Sequence, residues 1–152
     1  MIIIGYPGIG KSTIGGKLNC IDLESSSFFN SNGVRPAEWY EYYCNIANYL
    51  SKQGYNVLIS SHASVTKKLI KSSDEDIIII APSPLLKDEW VEKLRKRAKN
   101  TKSDKDFRAY INSKDNYDSN ISNIINNDKV KKYIIKNMDY KLEDIIKEIV
   151  EK

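Results

Sequence analysis

A chain of 152 residues has room for one hydrophobic core, and its 41% apolar and 29% charged residues are those of a soluble globular domain. No apolar run approaches the roughly 20 residues that a bilayer-spanning helix needs, which argues against membrane insertion. The net charge of +4, from 24 basic and 20 acidic residues, suits an anionic ligand but falls short of a nucleic-acid-binding stripe.

Met1 to Ile4 is an apolar run without polar alternation, as expected of a strand buried on both faces of a parallel sheet. With no basic segment and no cleavage site, it reads as a strand rather than an export signal, so the expected location is the cytoplasm. The only cysteines, Cys20 and Cys44, are then reduced packing residues, too few for a disulfide framework.

The first strand runs into Gly5-Tyr6-Pro7-Gly8-Ile9-Gly10-Lys11-Ser12, which satisfies G-x-x-x-x-G-K-[ST]. A helix from Lys11 to Leu18 is expected to follow. Glycines let such a loop turn tightly and bring successive N–H groups of Gly8, Ile9, Gly10 and Lys11 against phosphate oxygens. The Lys11 ammonium is expected to reach the β- and γ-phosphates, the Ser12 hydroxyl to bind Mg²⁺, and Thr13 to hydrogen-bond the α-phosphate. ATP and Mg²⁺ are therefore the expected ligands. Gly15 and Gly16 cost about 1 kcal/mol each in a helix interior, which points to close helix-to-sheet packing.

Cys20 to Leu23 is a second short strand, with Asp22 and Glu24 at its carboxyl end and a polar loop beyond. Pro36 suits a first helical turn, and Trp39, Tyr43, Ile46, Ala47 and Leu50 recur at helical spacing until Gly54. Next come a strand at Asn56 to Ser60, a short helix at Ser64 to Lys71, a strand at Asp76 to Ala81, and a helix at Pro84 to Lys99. That helix carries Leu86, Trp90, Val91 and Leu94 on one face.

Asn100 to Asn127 reads as polar and irregular, one or two helices around a mobile segment anchored by Tyr110, Ile111, Tyr117, Ile121, Ile124 and Ile125. Lys132 to Lys136 reads as a last strand and Lys141 to Glu151 as a last helix. Alternating strands and helices predict an α/β fold with a parallel sheet, because parallel neighbours need crossover connections. Ligands of such sheets sit beyond the carboxyl ends of the strands.

With the phosphate loop placed, this order of elements resembles the nucleoside monophosphate kinase (adenylate kinase-like) group of P-loop kinases, to which shikimate, gluconate and polynucleotide 5′-kinases are similar. The resemblance covers nearly the whole chain, though only the loop is highly specific. It implies the P-loop NTPase fold, a three-layer αβα domain over residues 1–152 with a five-stranded parallel sheet and a lid at about 98–120.

The same resemblance implies an ATP-dependent kinase whose acceptor is held after the second strand, by Asp22, Glu24, Ser25, Ser26 and Arg35. A guanidinium contacts phosphate in two prongs, which lysine cannot copy, and only four of the basic residues are arginine. Arg35 reads equally as a solvated surface residue. Leu94-Arg95-Lys96-Arg97 looks like the start of the lid. Arg95 and Arg97 lie two apart and cannot share a helix face; Arg97 is favoured as the catalytic arginine, with Arg108 as a third candidate.

One departure from that pattern stands out. The third strand ends Ser60-Ser61-His62, without the acid that usually helps hold the metal. Asp22 is the expected substitute, either holding Mg²⁺ through water or taking a proton from an attacking hydroxyl. His62, the only histidine, reads equally as a substrate contact and as a plain loop residue. Trp39, Tyr40, Tyr42 and Tyr43 read mainly as packing, with stacking on an acceptor base as the alternative.

The leading expectation is transfer of the ATP γ-phosphoryl group to a nucleotide or other small phosphate acceptor, catalysed by Lys11, Asp22 and Arg97. A hydroxyl acceptor, on a nucleoside or on nucleic acid, is the first alternative. A nucleotide-binding regulatory module without kinase activity is the second.

Overall fold

Apolar runs that carry no alternation must be covered on both faces, and the chain achieves this with a parallel sheet between helices. The structure, a computed structural model, describes residues 1–28 and 33–152, with the side chains of Ser26 and Ser27 outside the description. Strands β1 (Ile2–Gly5), β2 (Cys20–Asp22), β3 (Asn56–Ser60), β4 (Ile77–Pro82) and β5 (Lys131–Ile135) form one sheet in the order β2-β3-β1-β4-β5. Every pairing is parallel. Ile2, Ile3 and Ile4 at its centre are wholly buried, whereas Lys131 on the edge strand is exposed.

Five α-helices lie among the described residues: α1 (Trp39–Lys52), α2 (Ala63–Ser72), α3 (Lys87–Thr101), α4 (Asp104–Ile125) and α5 (Leu142–Glu151). Helix α1 packs on α2, and α3 on α4. This arrangement is compatible with three αβα layers. The buried apolar residues form one cluster that runs from β1 to α5.

The predicted helix from Lys11 to Leu18 does not form. A single 3₁₀ turn at Lys11–Thr13 follows the loop, and the chain then reverses through turns to enter β2 at Cys20. Gly16 (φ 81°), Leu18 (φ 51°) and Asn19 (φ 56°) all take left-handed conformations, which no right-handed helix accommodates. The expectation of close packing at Gly15 and Gly16 fails for the same reason: a Cβ on either would meet nothing within 4 Å. The glycine at position 16 answers to its positive φ instead.

The stretch read as irregular is also more ordered than expected. Helix α3 stops at Thr101, with Lys102 left-handed behind it, and the Ser103 hydroxyl accepts the Asp106 N–H to start the 22-residue α4. Ser113, Tyr117 and Ile121 are the buried residues of α4, at helical spacing. The Tyr6 and Ser113 hydroxyls lie 2.9 Å apart in the interior, tying the middle of α4 to the glycine loop after β1. The segment 98–120 is thus the end of α3, a tight turn and most of α4.

Candidate functional site

In register, Gly5 at the end of β1 lies beside Ser60 of β3 on one side and Ile80 of β4 on the other. The chain leaves β1 toward β2 on the β3 side and later returns to β4 on the opposite side. The loop after β1 therefore stands at the sheet's topological switch point, where open parallel sheets bind ligands.

Positive φ calls for glycine at two places in that loop, and space for a side chain is tight at a third. A Cβ on Gly5 would sit 2.5 Å from Ile9 Cδ1. Gly8 and Gly10 have φ of 91° and 102°, and a Cβ on Gly8 would lie 2.9 Å from Leu94 Cδ2. The carbonyls of Pro7, Gly8 and Ile9 are turned toward α3 and the segment before α5. Trp90 Nε1 donates to Pro7 O at 2.8 Å, and the Tyr140 hydroxyl donates to Gly8 O at 3.3 Å and Ile9 O at 3.0 Å. The N–H groups of Gly8, Gly10, Lys11 and Ser12 form no hydrogen bond with any described residue. Unpartnered amides in succession are what an anion needs.

Ile9 is itself 1% exposed, a core residue, and its N–H closes on Tyr6 O at 3.3 Å, so the expected contact of this amide with phosphate is not met because the loop's own turn takes it up. Ser12 is exposed, while the Thr13 hydroxyl donates to Gly10 O at 2.6 Å, so it must turn to reach a phosphate. Lys11 faces a cluster of charges. Burial pulls its ammonium below the usual lysine range; the Asp22 and Glu24 carboxylates oppose this, while Lys105 and Arg97 add to it.

At the end of β2, burial and the neighbouring Glu24 carboxylate raise the Asp22 carboxyl above the ordinary range, and Lys11 and Lys105 pull against them. Burial also works to raise Glu24, but its 2.6 Å ion pair with Lys105 overcomes this and leaves the group below its ordinary value. Asp22 Oδ1 is buried and has no hydrogen-bond partner among the described residues. A buried carboxylate oxygen without a donor is costly, and a ligand or metal that contacted it would remove that cost.

A second set of residues borders the first. The Arg35 guanidinium lies 4.3 Å over the Trp39 ring and donates to the buried Ser25 hydroxyl at 3.4 Å. His62 Nε2 is 3.1 Å from the same hydroxyl, and its ring meets Trp39 edge-on at 5.1 Å. Burial, then the charges of Arg35, Lys11 and Lys105, push His62 down to about 4. The Tyr43 hydroxyl donates to Leu23 O and accepts the Ser60 N–H, joining the ends of β2 and β3. Burial, and then the like charge of Arg108, lower the Arg35 pKa.

The structure separates the paired arginines of α3. Arg97 faces Lys11, with its Nε 3.3 Å from Asp106 Oδ1. Arg95 is held by two hydrogen bonds to Glu92 on the exposed side of the helix. Of the residues expected at the site, Lys11, Asp22, Glu24 and Arg97 converge, with Arg35, Arg108, Ser25 and His62 beside them. Arg95 lies apart, and the Ser26 side chain falls outside the described residues. Tyr42 is 57% exposed and Tyr43 buried, so these two tyrosines play different parts on α1.

Sequence reasoning missed Lys105, Trp90, Lys93 and Tyr140. Lys105 is hidden by a lysine-rich background; Trp90 and Tyr140 meet the loop only through tertiary contacts, and Lys93 lies against those two rings.

The residues present fit a nucleotide phosphate and its metal. Mg²⁺ characteristically takes only one or two protein oxygens, with phosphate and water completing its shell. Ser12 and the orphaned oxygen of Asp22 meet that requirement, although no group of three His, Cys, Asp or Glu side chains converges among the described residues. No protein-family model and no curated protein matches the chain.

Proposed function

We propose that this chain is an ATP-dependent phosphotransferase with a P-loop NTPase fold, passing the γ-phosphoryl group of ATP to a nucleotide. The observation that carries the reading is the row of amides without a partner among the described residues, in a glycine loop at the switch point, with Lys11 and Lys105 beside Asp22 and Glu24 and the charge of Arg97 acting on Lys11. Three cations beside a phosphate cradle exceed what ATP binding needs, and they suit charge that grows on equatorial oxygens during transfer.

In this reading the loop amides and Lys11 bind and orient the β- and γ-phosphates. Arg97 adds charge from α3, and once freed from Asp106 its planar fork can engage the transferring group. Arg35, held beside Ser25 with the charge of Arg108 acting on it, suits an acceptor that is already an anion. Ser12 and Asp22 would hold Mg²⁺, which would supply charge neutralisation to the phosphates. Positioning two anions side by side is most of the work in phosphoryl transfer, and it removes the entropy of bringing them together.

One observation favours a second reading. The Asp22 carboxyl is raised and holds a partnerless buried oxygen, as a general base for a hydroxyl acceptor would. Nucleosides, or 5′-hydroxyl and hydroxymethyl groups of nucleic acid, would then be the acceptors.

The test is incubation with Mg²⁺ and labelled ATP against nucleoside monophosphates, nucleosides and hydroxyl-bearing DNA, with Lys11→Ala as control. Label on a monophosphate, lost in Lys11→Ala, is the expected result. Label on a hydroxyl that also disappears in Asp22→Ala selects the second reading. ATP binding without any transfer refutes both and leaves a regulatory binding module.

A further inference from the structure

Trp90 and Lys93 of α3 and Tyr140, just before α5, take no part in the chemistry above; Trp90 and Tyr140 bind carbonyls at the back of the phosphate loop, and Lys93 lies against both rings. The Trp90 and Tyr140 rings stack with centroids 5.9 Å apart and planes 14° from parallel. The Lys93 ammonium lies 4.4 Å from the first centroid and 5.1 Å from the second, and 3.1 Å from the Tyr140 hydroxyl. An ammonium has donors and no acceptor. The Tyr140 oxygen must therefore accept from Lys93, which directs its own single proton to the carbonyls of Gly8 and Ile9. Burial pushes the phenol up to about 12, so that proton stays in place at neutral pH.

In a planar trans peptide the C=O and N–H point in opposite directions, and no cis bond occurs among the described residues. Holding Pro7 O against Trp90 thus turns the Gly8 N–H away from α3, and holding Ile9 O against Tyr140 turns the Gly10 N–H away from Tyr140. These are two of the loop amides without a partner among the described residues. The peptide between them is fixed from both ends, since Gly8 O meets Tyr140 and the Ile9 N–H closes on Tyr6 O at 3.3 Å. Glycine at positions 8 and 10 gives the loop many conformations at little cost, so without these contacts the amides would have to be ordered by the anion itself, at the expense of affinity.

We infer that Tyr140, oriented by Lys93 and working with Trp90, is a positioning residue of the phosphate loop, holding its carbonyls back so that the amides of Gly8 and Gly10 are preset for a polyphosphate anion. The inference rests on the reading of this loop as a phosphate cradle.

Tyr140→Phe keeps the stacked ring and removes only the hydroxyl. The full chain and this variant are titrated calorimetrically with inorganic tripolyphosphate, and urea unfolding of each is followed without ligand. The expected result is a five- to tenfold weaker tripolyphosphate affinity in the variant, about what one net hydrogen bond commands, beyond any change in the unfolding midpoint. Trp90→Phe, which loses the donor to Pro7 O, weakens binding similarly and carries the test if Tyr140→Phe does not fold. Tripolyphosphate affinities within twofold of the unsubstituted chain, with or without a lower urea midpoint, reduce the three residues to packing and overturn the inference. No binding by the unsubstituted chain overturns the cradle reading itself, a result distinguishable from the first because it does not depend on Tyr140.

Discussion

Replacing Gly8 by alanine separates two costs that the loop imposes. The backbone there has φ of 91°, a region where an L side chain costs about 1–2 kcal/mol. The new methyl would also lie 2.9 Å from Leu94 Cδ2 and 3.2 Å from Trp90 Nε1. Trp90 and Leu94 are wholly buried and have no room to withdraw, so overpacking adds about 1–3 kcal/mol. Gly54 supplies the internal control, since its φ is 94° but nothing lies within 4 Å of a Cβ there. Gly54→Ala should cost only the conformational part, about 1–2 kcal/mol. Urea unfolding with linear extrapolation measures both variants. Gly8→Ala should unfold on the order of 1 M urea below Gly54→Ala, given an m-value of about 1–3 kcal/mol/M that is unchanged between them. Equal midpoints would refute the claim that α3 closes tightly on the loop.

Two further outcomes follow from the site. His62, held at about 4 against an ordinary 6.5, is favoured in its neutral form by the fold. Its contribution to stability is complete above about pH 6.5 and is lost as the pH falls toward about 4. His62→Gln should flatten that part of the stability profile measured by urea midpoints at stepped pH, and parallel profiles would show that another group is responsible. Arg97→Gln should lower the turnover of phosphoryl transfer by about 10²–10³, the usual effect of removing one transition-state donor, while Arg95→Gln stays within about twofold; comparable losses in the two variants would remove the distinction drawn between them.

Much of the site lies in adjacent residues and so shows in the sequence. The phosphate loop is one uninterrupted run from Gly5 to Ser12, and its meaning depends on a strand before it, which four apolar residues announce. Strands β3 and β4 and helix α1 show in the same way, because a period of 2 or 3.6, or an unbroken apolar run, is a local property. Where local signals conflict with chain geometry they mislead. Lys11 to Leu18 has a helical look, but only six residues separate Thr13 from Cys20, and the chain must reverse within them to reach a strand two places across the sheet. Helix α4 suffered the opposite error, since its few buried positions are diluted by asparagine, aspartate and lysine, and only packing against α3, β4 and Tyr6 gives them a face to cover.

What tertiary structure contributed is the set of contacts between distant residues. Nothing near Pro7 or Gly8 in the chain announces Trp90 and Tyr140, which lie 83 and 132 residues away. The choice between Arg95 and Arg97 turned on which side of α3 faces Lys11, a matter of how the helix is rotated in place. The partnerless oxygen of Asp22 emerged only once its surroundings were closed over it. A sequence states which groups are present and which share a local period; desolvation, the shifts in ionisation it brings, and the orientation of a loop's amides come from elements packed across the whole domain.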